Sequence, residues 1–317
     1  MRYDVITSGY VSLDRIIKIT SPLGVGFTSL VENSDNAKIY YGGCSINIAY
    51  HLARLGLRTL PIVRVGRDFE ESGFRDFLQH GNVCLDAVEL VAEDLTPNCY
   101  LLEDPQGQHI TVFYPGAQSK KYFRPMKREL FENARLAVMT VGSSLDNLEF
   151  FRRCREAKVA MVFGMKADFN AFPEGVLNEA LLYSSIIFTN ESEREEIERR
   201  LGVRSLTELL ETGNPRIIVT TRGTRGSVYY ERTGGELVSK EISAARCRRK
   251  VDTTGSGDGY MSGFLYGYVK GHDTESCCRL GSTIASFIIE SMGCCTSAPD
   301  EEELLRRFNE EGHYALE

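Results

Sequence analysis

Asp252-Thr253-Thr254-Gly255-Ser256-Gly257-Asp258 sets a glycine turn and a carboxylate directly before an apolar helical run, Gly259 to Val269. A helix that starts there aims unpaired backbone N–H groups back at the Gly255–Gly257 turn. The helix dipole adds partial positive charge, so the turn is a natural anion seat. Asp258 stands at the edge of that seat. A carboxylate beside a bound phosphate can accept the proton of an attacking hydroxyl, which is what phosphoryl transfer to an alcohol needs. The plainer alternative is that Asp258 caps the helix and the glycines only turn the chain.

A second segment weighs against the plainer alternative. Gly42-Gly43-Cys44-Ser45-Ile46-Asn47-Ile48-Ala49 is followed by Gly56 and Gly66. Taken with Asp252–Asp258, and over nearly the whole chain from Gly9 to Pro299, the sequence resembles the ribokinase/PfkB family of carbohydrate and nucleoside kinases. The resemblance implies a role for each matching residue. Asp258 is the general base. Gly255, Ser256 and Gly257 form the anion hole, with Ser256 where Ala is commoner. Gly42, Gly43 and Asn47 contact the sugar, and Ser45 is a mild departure. Asp14, in Gly9-Tyr10-Val11-Ser12-Leu13-Asp14, matches the acid that binds sugar hydroxyls, although Ser12 replaces a frequent Asn. A carboxylate suits a vicinal diol because it accepts two hydroxyl donors.

The nucleotide side is carried by shorter signals. Thr221-Arg222-Gly223-Thr224-Arg225-Gly226 resembles the family's nucleotide-binding turn through Thr221, Gly223 and Gly226, but lacks the ending of a Walker A loop. On its own it reads equally as a strand-to-strand turn. Asn190 and Glu193 match the family's N-x-x-E pair, which orders Mg²⁺ through water; the same spacing is a helix capping box. Asp252 and Thr254 match positions that bind K⁺ in many members. Tyr114-Pro115-Gly116-Ala117 resembles a P-G-A segment of the ribokinase-like and archaeal nucleoside kinase-like members. Phe163-Gly164-Met165-Lys166 departs from the family, where an Asp-Pro pair is common.

The elements that must position these residues are legible from periodicity. Leu136–Val141, Val159–Phe163, Ile186–Thr189 and Ile217–Thr221 read as short apolar strands, with helices between them, for example over 147–157 and 191–200. That alternation predicts an α/β fold: a mostly parallel central sheet flanked by helices. Helices are also expected over 45–55, 68–79, 274–291 and 300–311, and a hairpin around Asp104-Pro105-Gln106-Gly107. The strand-rich stretches near 17–41 and 96–115 break the α/β rhythm, and the resemblance implies that they form a small β-sheet lid over the sugar. Gly259, Gly263 and Gly267 recur every fourth residue and suggest close helix–sheet packing.

Composition narrows the rest. The 317 residues suit a single α/β domain. A net charge of −7 argues against nucleic acid or an anionic membrane as partner. No apolar run approaches a bilayer span of roughly 18 residues, and Met1–Asp4 carries no signal-peptide pattern, so a cytoplasmic protein is expected. The nine cysteines lack any C-x-x-C pair and read as reduced thiols, with Cys44 notable for lying in a site motif. Arg246, Arg248, Arg249 and Lys250 read as a solvated basic face. The expectation is an ATP- and Mg²⁺-dependent kinase, with K⁺ beside the anion hole, acting on a primary hydroxyl of a small sugar or the ribose of a nucleoside. A homodimer through the lid is expected as well. Two alternatives stay open: another sugar class (a hexose, 2-keto-3-deoxygluconate or a sugar phosphate met by Arg15 and Lys18), and a non-catalytic sugar- or nucleotide-binding regulator.

Overall fold

The computed structural model describes residues 3–21, 24, 26, 28–106, 109–164, 172 and 175–310. Gly107 of the expected hairpin turn, and Met165 and Lys166 of the departure from Asp-Pro, lie outside the described residues.

The amino-terminal part runs β1 (Tyr3–Ser8), β2 (Ser12–Lys18), β3 (Tyr40–Gly42), α1 (Cys44–Arg54), β4 (Thr59–Gly66), α2 (Phe74–His80), β5 (Val88–Val91), β6 (Asn98–Glu103) and β7 (His109–Tyr114). The middle runs α3 (Arg128–Glu132), β8 (Ala134–Met139), α4 (Ser144–Ala157), β9 (Ala160–Gly164), α5 (Val176–Tyr183), β10 (Ile186–Asn190), α6 (Glu191–Leu201), α7 (Leu209–Thr212) and β11 (Ile217–Thr221). The chain continues through β12 (Ser227–Thr233), β13 (Glu236–Ile242), α8 (Ser256–Lys270), α9 (Thr274–Ile288) and α10 (Glu301–Glu310).

Among the described residues, nine strands form the large sheet, in the order β13-β12-β11-β10-β9-β8-β1-β4-β5. It is parallel from β11 to β5, and β12 and β13 add an antiparallel edge. Successive side chains of a strand point to opposite faces, and here each face has its own core. Ile6, Ala137, Met139 and Ile187 enter one cluster. Their neighbours Val5, Leu136, Val138, Ile186 and Phe188 enter the other, under α8 and α9. Covering on both faces is why these strands read as unbroken apolar runs.

A second sheet of four strands has the order β3-β2-β6-β7, with β2 and β6 parallel and the other pairs antiparallel. Its strands begin earlier and are fewer than the reading of 17–41 suggests. Among the described residues they are Ser12–Lys18 and Tyr40–Gly42, with an isolated Ile19–Val31 bridge between them. The Asn33 side chain explains part of this. Its Oδ1 accepts from the Lys18 N–H at 2.8 Å and its Nδ2 donates to the Ile16 carbonyl at 2.9 Å, standing in for a neighbouring strand.

Two further expectations are corrected. The helix anticipated over 68–79 starts only at Phe74, because Gly73 takes a left-handed conformation (φ +77°) that breaks the turn. Gly259, Gly263 and Gly267 serve helix–helix rather than helix–sheet packing. A Cβ on Gly263 would lie 2.4 Å from the Leu280 carbonyl oxygen, and one on Gly267 would lie 3.2 Å from Cys277 Cα, both on α9.

Candidate active site

α8 begins at Ser256, one turn earlier than the apolar run alone indicates, so Asp258 falls inside its first turn. Gly255 precedes the helix with φ +77°, a conformation that favours glycine. A Cβ there would also lie 2.7 Å from both Cβ and Sγ of Cys294. Gly257 is different: a Cβ on it would meet nothing within 4 Å, because it faces open space. The Ser256 N–H donates to the Thr253 carbonyl at 3.2 Å and closes the turn.

α1 arrives from the opposite side. Gly43, at φ +92°, brings its start against the Tyr10–Val11 backbone, where a Cβ would lie 2.3 Å from the Tyr10 carbonyl oxygen. Asn47, in the first turn of α1, then reaches α8. Its Nδ2 donates to Asp258 Oδ2 at 2.7 Å, and both residues are buried. Asn47 Oδ1 accepts from the Cys295 thiol at 3.4 Å. On the strand side, Ser12 Oγ donates to Asp14 Oδ1. A Cβ on Gly42 would lie 2.8 Å from Asp14 Oδ2 and 3.4 Å from Asn47 Oδ1, so glycine keeps room for both polar groups.

These parts line one cleft of about 630 Å³. Its roof is the inner face of the second sheet, with Ser12, Asp14, Cys99, Leu101, Thr111 and Phe113. Its floor is the carboxyl ends of β9, β10 and β11 and the starts of α1 and α8. The carboxyl edge of a parallel sheet is the usual ligand side of an open α/β fold. Gly43, Asn47, Asn190, Glu193, Thr221, Thr254, Gly255, Gly257 and Asp258 all line it, as does Asp14.

Gly42, Asp252, Ser256, Gly223 and Gly226, also singled out in the sequence, do not line the cleft. Gly42 shapes Asp14 from behind. Asp252 instead ties two loops together: its Oδ1 accepts from the Thr254 N–H at 2.9 Å and its Oδ2 from the Gly293 N–H at 3.2 Å. Thr221 alone of its motif faces the cleft. Gly223 and Gly226 shape the turn between the antiparallel strands β11 and β12, and a Cβ on Gly226 would lie 1.9 Å from the Ile242 carbonyl oxygen. Asn190 and Glu193 form a full capping box on α6, with both bonds at 2.8 Å. Gly116–Gln118 locks the second sheet to the first: Gln118 accepts from the Val11 N–H at 2.7 Å and donates to the Gly9 carbonyl at 2.9 Å.

One buried group near the site is unusual. His51 sits one turn after Asn47 on α1, fully buried, with no hydrogen bond of normal geometry to either ring nitrogen among the described residues. Burial pulls its pKa down to about 4, against opposing pulls from the Asp258 carboxylate and the Cys294 backbone. It is therefore a neutral imidazole at pH 7.

The match to known proteins decides the family. Residues 4–301 match the family model described as pfkB family carbohydrate kinase. The chain belongs to the pfkB family. Among relatives of this pfkB kinase, a nucleoside kinase of Methanothermobacter thermautotrophicus is 30% identical over 313 residues, covering 98% of this chain and 97% of the relative. The crystal structure of the Methanocaldococcus jannaschii nucleoside kinase superposes with a TM-score of 0.86 at 26% identity, covering 98% of this chain and 99% of that one. A Burkholderia thailandensis nucleoside kinase in complex with inosine shares the fold, with a TM-score of 0.84 at 23% identity and coverage of 98% and 99%. The ribokinase-like architecture and the assignment as a sugar or nucleoside kinase follow.

Sequence reasoning missed part of the cleft wall of this pfkB kinase. Phe113, Thr111, Met261 and Cys294 line the cleft without belonging to any motif, and Tyr10 lines it from within the Gly9–Asp14 segment without having been given a role. Alternation along β6 and β7 is the signal that could have found the roof residues: Cys99, Leu101, Thr111 and Phe113 fall on one face by parity. Cys294 and Cys295 had no local signal, because only the tertiary fold brings their loop behind Gly255.

Proposed function

We propose that the protein transfers the γ-phosphoryl group of ATP to the primary hydroxyl of a nucleoside ribose. The observation that carries the reading is the buried Asn47–Asp258 pair at the first turn of α8, in one cleft with Asp14 and an aromatic roof. Tyr10 and Phe113 meet there with ring centroids 4.8 Å apart. Two such rings suit a planar base better than they suit a bare pentose, because a base offers a π-face to stack on. Asp14 and Asn47 then hold ribose hydroxyls, and Gly42 keeps Asp14 clear.

The chemistry follows from these placements. Asp258 takes the proton of the ribose hydroxyl as its oxygen bonds to the γ-phosphorus, and the bond to the β-γ bridging oxygen breaks, leaving ADP. Backbone N–H groups of the Gly255–Gly257 turn stabilise the charge on the moving group. Most of the rate gain comes from holding hydroxyl and phosphorus in line. The donor set at Asn190 and Glu193 fits Mg²⁺ held through water, since Mg²⁺ takes few protein carboxylates and keeps waters and phosphate oxygens. When bound, Mg²⁺ supplies charge neutralisation on the phosphates. Asp252 and Thr254 are the matching K⁺ positions, and Asp252 there already fixes the loop that backs the anion turn. Thr221 and its turn border the nucleotide side.

Arg15 argues against a phosphorylated substrate. It alternates with Asp14, which lines the cleft, and its guanidinium lies 5.7 Å from the Tyr100 ring centroid on the other face. Lys18 is paired with Glu103 at 3.8 Å. That outer face also exposes Ile110, Val112 and Tyr114 on the edge strand β7. An apolar sheet face with an open edge supports a homodimer through this sheet. The test of function is ADP release with Mg-ATP across nucleosides, pentoses and hexoses, with Asp258→Asn alongside. Turnover on nucleosides, lost in Asp258→Asn, is expected. Preference for a free pentose or hexose would overturn the nucleoside assignment. Ligand binding without turnover in either protein would favour a regulator.

A further inference from the structure

Asn47 has an amide that can face either way; Asp258 decides which, and the group that meets its other end lies outside every motif. Asp258 is an acceptor, so the nitrogen of Asn47 must face it, which turns Asn47 Oδ1 away from Asp258 and towards the loop after α9. There Cys295 meets it, with Sγ 3.4 Å from Oδ1, and Cys295, Asn47 and Asp258 are all buried. We infer that Cys295 is a positioning residue for the transfer: its thiol donates to Asn47, Asn47 donates to Asp258, and the chain of two bonds holds the carboxylate in its reactive orientation. The inference rests on the reading of Asp258 as the base.

The surroundings favour this role. Burial, with the Asp258 and Asp14 charges adding to it, pushes the Cys295 thiol well above its ordinary range, so it stays a protonated donor. His51, on the same face of α1, is held neutral and brings no competing positive charge. The neighbouring Cys294 backs Gly255, the residue that turns the chain into α8. The 293–295 segment thus braces both halves of the site: Cys294 packs on the anion turn and Cys295 orients the base through Asn47. A thiol hydrogen bond is weak, yet a buried carbonyl left without its donor carries the whole desolvation cost.

The test compares wild type, Cys295→Ala, Cys295→Ser, Asn47→Ala and the Cys295→Ala/Asn47→Ala double variant. Three readouts are taken: steady-state kinetics, melting temperature and the ¹⁵N-resolved side-chain amide signal of Asn47, identified by its absence in Asn47→Ala. Cys295→Ala is expected to lower kcat roughly five- to tenfold, the size of one neutral hydrogen bond, with KM for ATP unchanged. Cys295→Ser, which keeps a donor, should restore most of it. In the Asn47→Ala background the Cys295 change should cost nothing further, since the two act as one unit. The Asn47 amide signal should move towards that of a free amide in Cys295→Ala and stay in place in Cys295→Ser. A melting temperature that falls in both variants with kcat intact would show a packing residue and overturn the inference, as would additive losses in the double variant. If wild type turns over no alcohol at all, the reading of the site fails separately. An Asn47 amide signal unmoved by Cys295→Ala would then overturn the inference by itself, and a displaced one would sustain the hydrogen-bonded chain.

Discussion

Two alanine substitutions two residues apart should have opposite consequences, and the contrast tests the anion turn. Gly255 has φ +77°, and a Cβ there would lie 2.7 Å from Cys294. A left-handed non-glycine residue costs roughly 1–2 kcal/mol. Forcing a methyl into a filled space costs roughly 1–3 kcal/mol more. With 317 residues and about 2.1 cal/mol/K of unfolding entropy per residue, a total of about 2–5 kcal/mol should lower the melting temperature of Gly255→Ala by about 3–7 °C. Gly257 is helical and its Cβ would enter open space lining the cleft. Alanine is the better helix former by up to about 1 kcal/mol, so Gly257→Ala should melt at or slightly above the wild-type temperature. In the proposed mechanism its methyl would occupy the seat of the moving phosphoryl group. The loss of kcat should match that of an oxyanion-hole donor, roughly 10²–10³. Thermal melting and ADP release on the same preparations decide it. A Gly257→Ala protein that melts normally and turns over at the wild-type rate would refute the anion-turn assignment. One that melts as early as Gly255→Ala would refute the open geometry.

Other consequences can be checked as directly. His51 has a folded-state pKa of about 4 against an ordinary 6.5. The unfolded chain therefore binds more protons between those values, and stability falls as pH drops from 6.5 to 4, by about 3 kcal/mol. Urea melts across that range should show a flatter pH dependence for His51→Met, and equal slopes in both proteins would contradict the buried neutral imidazole. Gly42→Ala places a methyl 2.8 Å from Asp14 Oδ2; KM for the nucleoside should rise at least tenfold with KM for ATP unchanged, and an unaltered nucleoside KM would remove Asp14 from the substrate site. Val112→Lys puts a charge on the exposed face of β7, where Val112 is 52% exposed. Light scattering should find a monomer if the second sheet pairs two copies, whereas a dimer surviving the change would move the interface elsewhere. Asp146→Ala strands Arg64, now held by two 2.8 Å bonds in the interior. A loss of roughly 3–5 kcal/mol is expected from calorimetry, and a loss below about 1 kcal/mol would mean that Arg64 finds water.

The sequence carried the sheet well because its strands are buried on both faces. β8, β9, β10 and β11 are apolar through their buried middles, over 136–139, 161–163, 186–188 and 217–219, and such runs stand out without alignment. Asp258 and the glycines were legible for another reason: a left-handed turn before a helix leaves few residue choices, so Gly255 shows itself. The second sheet was harder. Asn33 satisfies the backbone of β2 with a side chain, a device that looks like loop composition in one dimension. The partnership of Asn47 with Asp258 spans 211 positions and that of Asn47 with Cys295 spans 248, distances over which no local pattern runs. The stacked glycines of α8 were visible, but whether sheet or helix lay against them was a tertiary fact, settled by Leu280 and Cys277 of α9.

The most direct test of the central claim is turnover itself: ADP release with Mg-ATP and a panel of nucleosides, wild type beside Asp258→Asn. The substitution keeps the size of the side chain and its place against Asn47 but removes the base. The account predicts nucleoside-dependent ADP release that falls by roughly 10²–10⁴ in the variant, with nucleoside binding retained in calorimetry. Equal turnover in the two proteins would contradict Asp258 as the proton acceptor and, with it, the mechanism built on this cleft.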